Sequence, residues 1–354
     1  MVIDIFKIFL PAFSAFAIGI AIAPVLTHFL YKNRAWKKTP GKTALDGTHA
    51  VEFGKLRDET ETKTPRMGGI LIWASVTVVT LLFWLLGEFF PNEITEKLDF
   101  LSRNQTWIPL FALLTGAFVG LLNDILDITE ESGEKGIPLS VRLGFVVLLS
   151  IFIGWWFYDK LDVVAVGIPF AGDLYLGWLI IPFFVLVSLS LYASGIIDGI
   201  DGLSGGVFAS IFLAYAFIAF NQDQINLAAF CATVAGALLA FLWFNIPPAR
   251  FWMTETGSMG LTLTIAVIAF MTDTLGEGKG VLVLPIIAFL LVATVATNIL
   301  QIFWKRFFKK KLFRIAPLHH HFEAIGWPGY KVTMRYWILS IIFAILGVSI
   351  ALIS

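Results

Sequence analysis

Residues 174–206 read LYLGWLIIPFFVLVSLSLYASGIIDGIDGLSGG: twenty-four residues without Asp, Glu, Lys or Arg, then two acids set among glycines. An uncharged apolar run of that length suits a helix crossing a bilayer, which needs about 20 residues at 1.5 Å rise. Runs of 16 or more residues free of those four charged types recur at 8–31, 67–87, 104–123, 143–158, 174–197, 202–222, 224–249, 256–272, 280–304 and 336–354. Because charge in hydrocarbon is expensive, the ten runs predict ten transmembrane helices. The shortest, 143–158, contains Trp155, Trp156 and Tyr158 at its end, side chains suited to a membrane–water interface. The whole chain, 1–354, is therefore read as a single all-α integral membrane domain crossing the bilayer many times.

Composition agrees. The chain is 58% hydrophobic and 14% charged, where soluble domains carry about 25% charged residues. That excludes an ordinary water-soluble enzyme and a disordered chain. The formal net charge of zero gives no reason to expect a nucleic-acid partner. The single cysteine, Cys231, excludes an intramolecular disulfide and reads as a small core residue within an apolar run.

Lys and Arg set the expected orientation. Loops after the first, third, fifth, seventh and ninth spans carry 18 of them, and the other side carries 5. The positive-inside rule then puts both termini outside and the richer loops in the cytoplasm. The first span does not read as a cleaved signal, since Lys7 is its only positive residue and Ala21-Ile22-Ala23 runs into Pro24.

The unusual polar clusters all fall on the predicted cytoplasmic side: TPRMGG (64–69), NDILD (123–127), DGIDG (198–202), Asn245, WMTETGS (252–258) and PLHHHFE (317–323). Their convergence predicts one site facing the cytosol, whereas a transporter would keep polar groups near mid-membrane. Asp124 and Asp127, three apart, share a helix face. Both could be solvated helix-end acids, a reading that suits Asp127 better than Asp124, which closes a long uncharged stretch. Asp198 and Asp201 could simply make a glycine turn, yet no base in that loop balances them, which favours a divalent metal or a hydrogen-bonded substrate. Glu255 could complement the dipole of the helix it opens.

His319, His320 and His321 lie beside Lys305, Arg306, Lys309, Lys310, Lys311 and Arg314. The basic residues are expected at any cytoplasmic membrane edge, but imidazole and guanidinium donors also suit a diphosphate. Acids in some loops and His with Lys or Arg in another are what Mg²⁺-assisted phosphoryl chemistry requires. No GxxxxGK[ST] or HExxH pattern occurs, which counts against nucleotidases of the P-loop type and metalloproteases.

PLHHHFE, preceded by KLFRIA (311–316) and followed by Trp327-Pro328 and MRYWILS (334–340), resembles the phospho-N-acetylmuramoyl-pentapeptide transferases, part of the polyprenyl-phosphate N-acetylhexosamine-1-phosphate transferase superfamily. TPRMGG is similar to that family's TPTMGG, DGIDGL to its DGLDGL, and FLWFN (241–245) with MTETGS (253–258) to its FLWFN and MGDVGS. The motifs follow the family's order over roughly residues 60–350. The resemblance implies transfer of phospho-N-acetylmuramoyl-pentapeptide from its UDP carrier to undecaprenyl phosphate, giving lipid I and UMP for peptidoglycan in the bacterial inner membrane. It implies a requirement for Mg²⁺, held by Glu255 and Asp124, and a catalytic set of Asn123, Asp124, Asp198 and His320. It also implies substrate contacts from Asp201, Asn245, Trp252 (a platform for uracil), His319, His321, Arg142 and Lys63; the sequence leaves the oligomeric state open, a homodimer included.

The chain departs from the family at several of these positions. Asn123-Asp124 stands for a paired Asp-Asp, Glu255 for the metal aspartate, Gly195 for an asparagine and Arg66 for a threonine, and Glu130, Glu131 and Glu134 make the loop after the third span more acidic. A phosphate monoester with second pKa of about 6 is already roughly nine-tenths dianionic at pH 7, so a missing base matters little. An acid lost from positioning or metal binding would matter far more, on the order of 10²–10⁴-fold. Two alternatives therefore accompany the first reading: a related enzyme using another UDP-N-acetylhexosamine, and a homologue that binds lipid carrier or nucleotide without turnover.

Overall fold

A computed structural model describes residues 2–38, 54, 61–102, 105–129, 136–276 and 278–354; the acidic stretch with Glu130, Glu131 and Glu134 lies outside them. Helices α1 (Val2–Lys32), α2 (Ile70–Phe89), α3 (Glu93–Leu98), α4 (Trp107–Thr129), α5 (Leu139–Lys160), α6 (Ile180–Ser194), α7 (Leu203–Asn221), α8 (Ile225–Asn245) and α9 (Thr254–Met271) come first. They are followed by α10 (Gly280–Ile287), α11 (Phe289–Phe308), α12 (Leu318–Ala324) and α13 (Gly329–Ile353). Among the described residues, nine helical stretches are long and apolar enough to cross a membrane, and α10 with α11 make a tenth if counted as one bent span. The protein is thus a helical, multi-pass membrane protein.

The ten charge-free runs each coincide with one of these stretches, with one correction. Run 280–304 predicts a continuous helix, but α10 and α11 meet at 70°, with the break at Ala288. Pro285, one turn before it, removes an N–H from the helical ladder and is the local sign of weakness there. Among the described residues, the strands are a hairpin of β1 (Ala165–Ile168) and β2 (Gly172–Tyr175), paired antiparallel.

Three helices form the interior. Every residue of α9 from Thr256 to Met271 is buried, and α7 and α8 are mostly so. α9 packs along α4, while α8 lies against α1, α2 and α7. The helices of the rim turn large apolar side chains outward, among them Phe9, Phe13, Val25, Leu148 and Ile353. Such a surface suits lipid, in which helices satisfy their own backbone groups.

Glycine sets the closest approach. A Cβ added at Gly120 on α4 would lie 2.0 Å from the carbonyl oxygen of Glu255, and one at Gly116 would lie 2.8 Å from Cα of Gly260. Small residues at this seam let the backbones of α4 and α9 touch, which brings Asp124 to the first turn of α9. At the opposite end of the bundle, Asp273 accepts from the backbone N–H of Gly167 at 2.7 Å and of Val281 at 2.8 Å, tying the hairpin to α10.

Candidate active site

The polar clusters meet at one end of the bundle. The segment before α2 lies along the segment before α9: Trp252 N–H donates to Pro65 O at 2.9 Å, Gly68 N–H to Trp252 O at 2.7 Å and Gly69 N–H to Met253 O at 3.2 Å. Residues 64–69 and 252–254 thereby form one floor. Above it is a cavity of about 130 Å³ lined by Glu61, Arg66, Gly195, Asp198, Gly199, Ile200, Trp252, Thr254, Glu255 and Ser258.

Thr254 is the junction. It opens α9 with φ of +53°, a region that costs a β-branched residue energy and persists only when its surroundings hold it. Its N–H donates to Asp198 Oδ2 at 2.7 Å, and its Oγ1 lies 2.5 Å from Asp124 Oδ2. The same oxygen of Asp124 accepts from Thr256 N–H at 2.9 Å and from Thr256 Oγ1 at 2.6 Å. Asp124 is fully buried, and its second oxygen, Oδ1, faces Arg66 Nη2 at 3.4 Å. Asp198 is anchored through Oδ1 as well, which accepts from Ser204 Oγ at 2.6 Å.

Two arginines balance part of this charge. Arg142, from α5, places Nη1 2.6 Å from Glu255 Oε1. Arg66 reaches Asp127 as well, Nη1 to Oδ2 at 3.0 Å. Burial disfavours the charge on Arg66, but Asp124, Asp127 and Glu61 outweigh that and hold its guanidinium above the ordinary pKa. Arg66 could not be singled out as a site residue from its motif, since an arginine at a membrane edge ordinarily reads as a topology signal.

The other predicted residues divide by what they touch. Asp201 Oδ1 accepts from Trp252 Nε1 at 3.0 Å, and Oδ2 from Ala249 N–H at 3.1 Å, so Asp201 sets the indole at the cavity wall. Asn245 is a brace: its Oδ1 accepts from Gly202 N–H at 2.9 Å and its Nδ2 donates to Phe251 O at 2.8 Å. Asn123 Oδ1 accepts from Ile137 N–H at 2.9 Å, closing the loop between α4 and α5. His319 and His320 stand behind the turn at Gly199, where an added Cβ would lie 2.8 and 2.6 Å from their Nε2 atoms. His320 Nδ1 is 2.8 Å from Glu323 Oε2. His321 takes a different place, its Nδ1 accepting from Arg314 N–H at 3.2 Å, and neither it nor the exposed Lys63 lines the cavity. Thr254, Thr256 and Ser204, which hold the acids, carry no signal in the sequence that separates them from ordinary helix-start residues.

The donor set can be tested against the expected Mg²⁺. Among the described residues no three His, Cys, Asp or Glu side chains are grouped as a metal cage. Mg²⁺ does not require one: it is commonly held by one or two carboxylates together with waters and substrate phosphates. Glu255 and Asp124 each have one oxygen not saturated by hydrogen bonds from the protein. Among the described residues, Lys37 and Arg66 pair with Asp127, Arg66 also with Asp124, and Arg142 with Glu255.

Known proteins are similar to the chain over most of its length. The glycosyl transferase family 4 pattern matches residues 106–273, the stretch from α4 to α9. A phospho-N-acetylmuramoyl-pentapeptide-transferase of Geobacillus sp. (strain WCH70) is 32% identical over 341 residues, 95% of this chain and 95% of that protein. The enzymes of the same name from Chloroflexus aggregans, 30% identical over 100% of this chain and 92% of theirs, and Bacillus subtilis (strain 168), 29% over 95% of each, agree. With similarity running along nearly its whole length and parts of the TPRMGG, DGIDG and MTETGS stretches lining one cavity, the chain belongs to the phospho-N-acetylmuramoyl-pentapeptide-transferase family.

Proposed function

We propose that the chain transfers phospho-N-acetylmuramoyl-pentapeptide from UDP-MurNAc-pentapeptide to undecaprenyl phosphate, releasing UMP and giving lipid I for peptidoglycan synthesis. The observation that carries this reading is full-length similarity to transferases of that name together with the acid–arginine cavity at one end of the bundle. The setting is the bacterial inner membrane, with both termini outside and the cavity on the cytoplasmic face, where a soluble nucleotide donor and a lipid acceptor can meet. The asymmetry of Lys and Arg supports that orientation.

Trp252, fixed by Asp201, offers a flat face to the uracil. Arg142 and His320 supply cationic or hydrogen-bonding groups toward the diphosphate, and Asp198 and Thr254 shape the wall where the phosphates meet. Glu255 and Asp124 would hold Mg²⁺, whose chemistry is to offset charge on the phosphate oxygens. The lipid phosphate needs no strong base, being largely dianionic at neutral pH. The chain's work is to align acceptor and donor and to keep their charges from repelling, which is most of what phosphoryl transfer asks of a protein.

Purified protein with both substrates and Mg²⁺ is expected to release UMP, to stop when the cation is chelated and to resume when it is restored. Absence of UMP release together with absence of binding to either substrate would refute the reading. The Asn123 geometry favours one further reading, a homologue that binds without turnover, because Oδ1 of this side chain accepts from Ile137 and the amide cannot ionise. An inactive parent that gains activity on Asn123→Asp with Glu255→Asp would select that second reading; an active parent removes it.

A further inference from the structure

Arg66 stands where the family motif has threonine, and it is placed to do more than fill space. Its backbone is pinned, with the N–H donating to Ala35 O at 2.7 Å. Its side chain is mostly buried, 14% exposed, and borders the cavity beside Asp198, Thr254 and Glu255. Nη1 is 3.0 Å from Asp127 Oδ2 and Nη2 is 3.4 Å from Asp124 Oδ1. Nε is buried with no hydrogen-bond partner, so this guanidinium is held by the charge of its neighbours more than by a full set of hydrogen bonds.

The state of Asp124 gives that placement its consequence. Three donors, all from Thr254 and Thr256, converge on Oδ2. A cation seeking Asp124 must therefore approach Oδ1, the oxygen that Arg66 faces. At 3.4 Å the contact is longer than a strong charge-assisted hydrogen bond of about 2.7–2.9 Å, so the guanidinium shields the oxygen without being locked to it.

We propose that Arg66 is a resident counter-cation of this acid cluster, which competes with a divalent cation for Asp124 and keeps the substrate-free protein's affinity for that cation low. A divalent ion at Oδ1 would sit within a few ångströms of a fixed positive charge, and like charges that close in a partly buried site repel strongly. The arrangement postpones tight cation binding until a phosphate ligand adds negative charge. It rests on the reading that a divalent cation works at this site. The test below measures cation binding with no substrate present, so its failure is separable from failure of the transferase assay.

The experiment is Mn²⁺ binding to the purified full-length protein in detergent, followed by electron paramagnetic resonance. Wild type is compared with Arg66→Thr and Arg66→Lys, and folding is checked by thermal unfolding. Arg66→Thr is expected to bind Mn²⁺ at least roughly tenfold more tightly than wild type, a change of about 1.4 kcal/mol. Arg66→Lys, which keeps the charge, is expected to stay near wild type; a purely structural arginine would make the two variants alike. Arg66→Met, which keeps the apolar stem, carries the same expectation as the threonine variant should that protein fail to fold. Unchanged or weaker Mn²⁺ binding in the charge-removing variants overturns the proposal, as does the absence of Mn²⁺ binding in all of them.

Discussion

Asp124 illustrates how a single carboxylate can be structural through one oxygen and available through the other. Oδ2 fixes the first turn of α9 through Thr254 and Thr256, while Oδ1 meets Arg66. Asp124→Asn keeps the size but replaces one acceptor by an NH₂ group facing donors, and it removes the charge that balances Arg66. UMP release is expected to fall on the order of 10²–10⁴-fold, with a lower midpoint in thermal unfolding; a variant that loses neither would show that the acid is dispensable. Trp252 is a gentler case. Trp252→Phe keeps an aromatic face but loses the 3.0 Å bond to Asp201, leaving a carboxylate oxygen without that donor. A hydrogen bond to a charged group contributes about 1.5–3 kcal/mol, so the KM for the nucleotide donor is expected to rise about tenfold or more while kcat changes much less. Steady-state kinetics with varied donor reads that split, and an equal fall in kcat would place the indole at the reacting atoms instead.

At the scale of elements, the seam between α4 and α9 decides whether these residues meet at all. A methyl group at Gly120 would collide with the backbone of Glu255, and backbone cannot turn aside as a flexible side chain can. Gly120→Ala is therefore expected to destabilise the protein by about 1–3 kcal/mol, a usual cost of overpacking, and to lower activity because Asp124 and Glu255 separate. Gly144 on α5 has nothing within 4 Å of an added Cβ, so Gly144→Ala is expected to be neutral or to stabilise by up to about 1 kcal/mol. Thermal unfolding of the two variants side by side tests the contrast. Such elements are unequally legible in a sequence. Charge-free runs announce the spans because the bilayer penalises charge irrespective of tertiary packing. The 70° break between α10 and α11 is set by how those helices pack, and Pro285 alone hints at it. Asp198 and Asp201 are readable as acids that no base in their loop balances, Asp124 as the acid that closes a long uncharged stretch, and Glu255 through its place in a family-like motif. Thr254 is not, because a left-handed backbone at a threonine follows from tertiary contacts. Arg66 looked like a departure from a motif until its distance to Asp124 and Asp127 was known.

For the whole molecule, the uneven distribution of charge connects orientation to chemistry. The basic excess and the acid-lined cavity share one end of the bundle, and the hairpin lies at the other. If the positive-inside rule governs insertion, the cavity opens to the compartment that contains nucleotide donors, and the hairpin faces outward. Lys310 and Tyr175 are both exposed and belong to opposite ends, which makes them suitable reporters. The only native cysteine, Cys231, is fully buried and can stay in place without reacting. In spheroplasts, Tyr175→Cys is expected to react with a membrane-impermeant maleimide. Lys310→Cys is expected to react only after the membrane is opened. The reverse pattern would turn the protein over, and a cavity facing outward could not draw on a cytoplasmic nucleotide. Labelling therefore tests more than topology: the transferase reading requires the acids of α4, α9 and the Asp198–Asp201 turn to lie on the side that Lys310 reports.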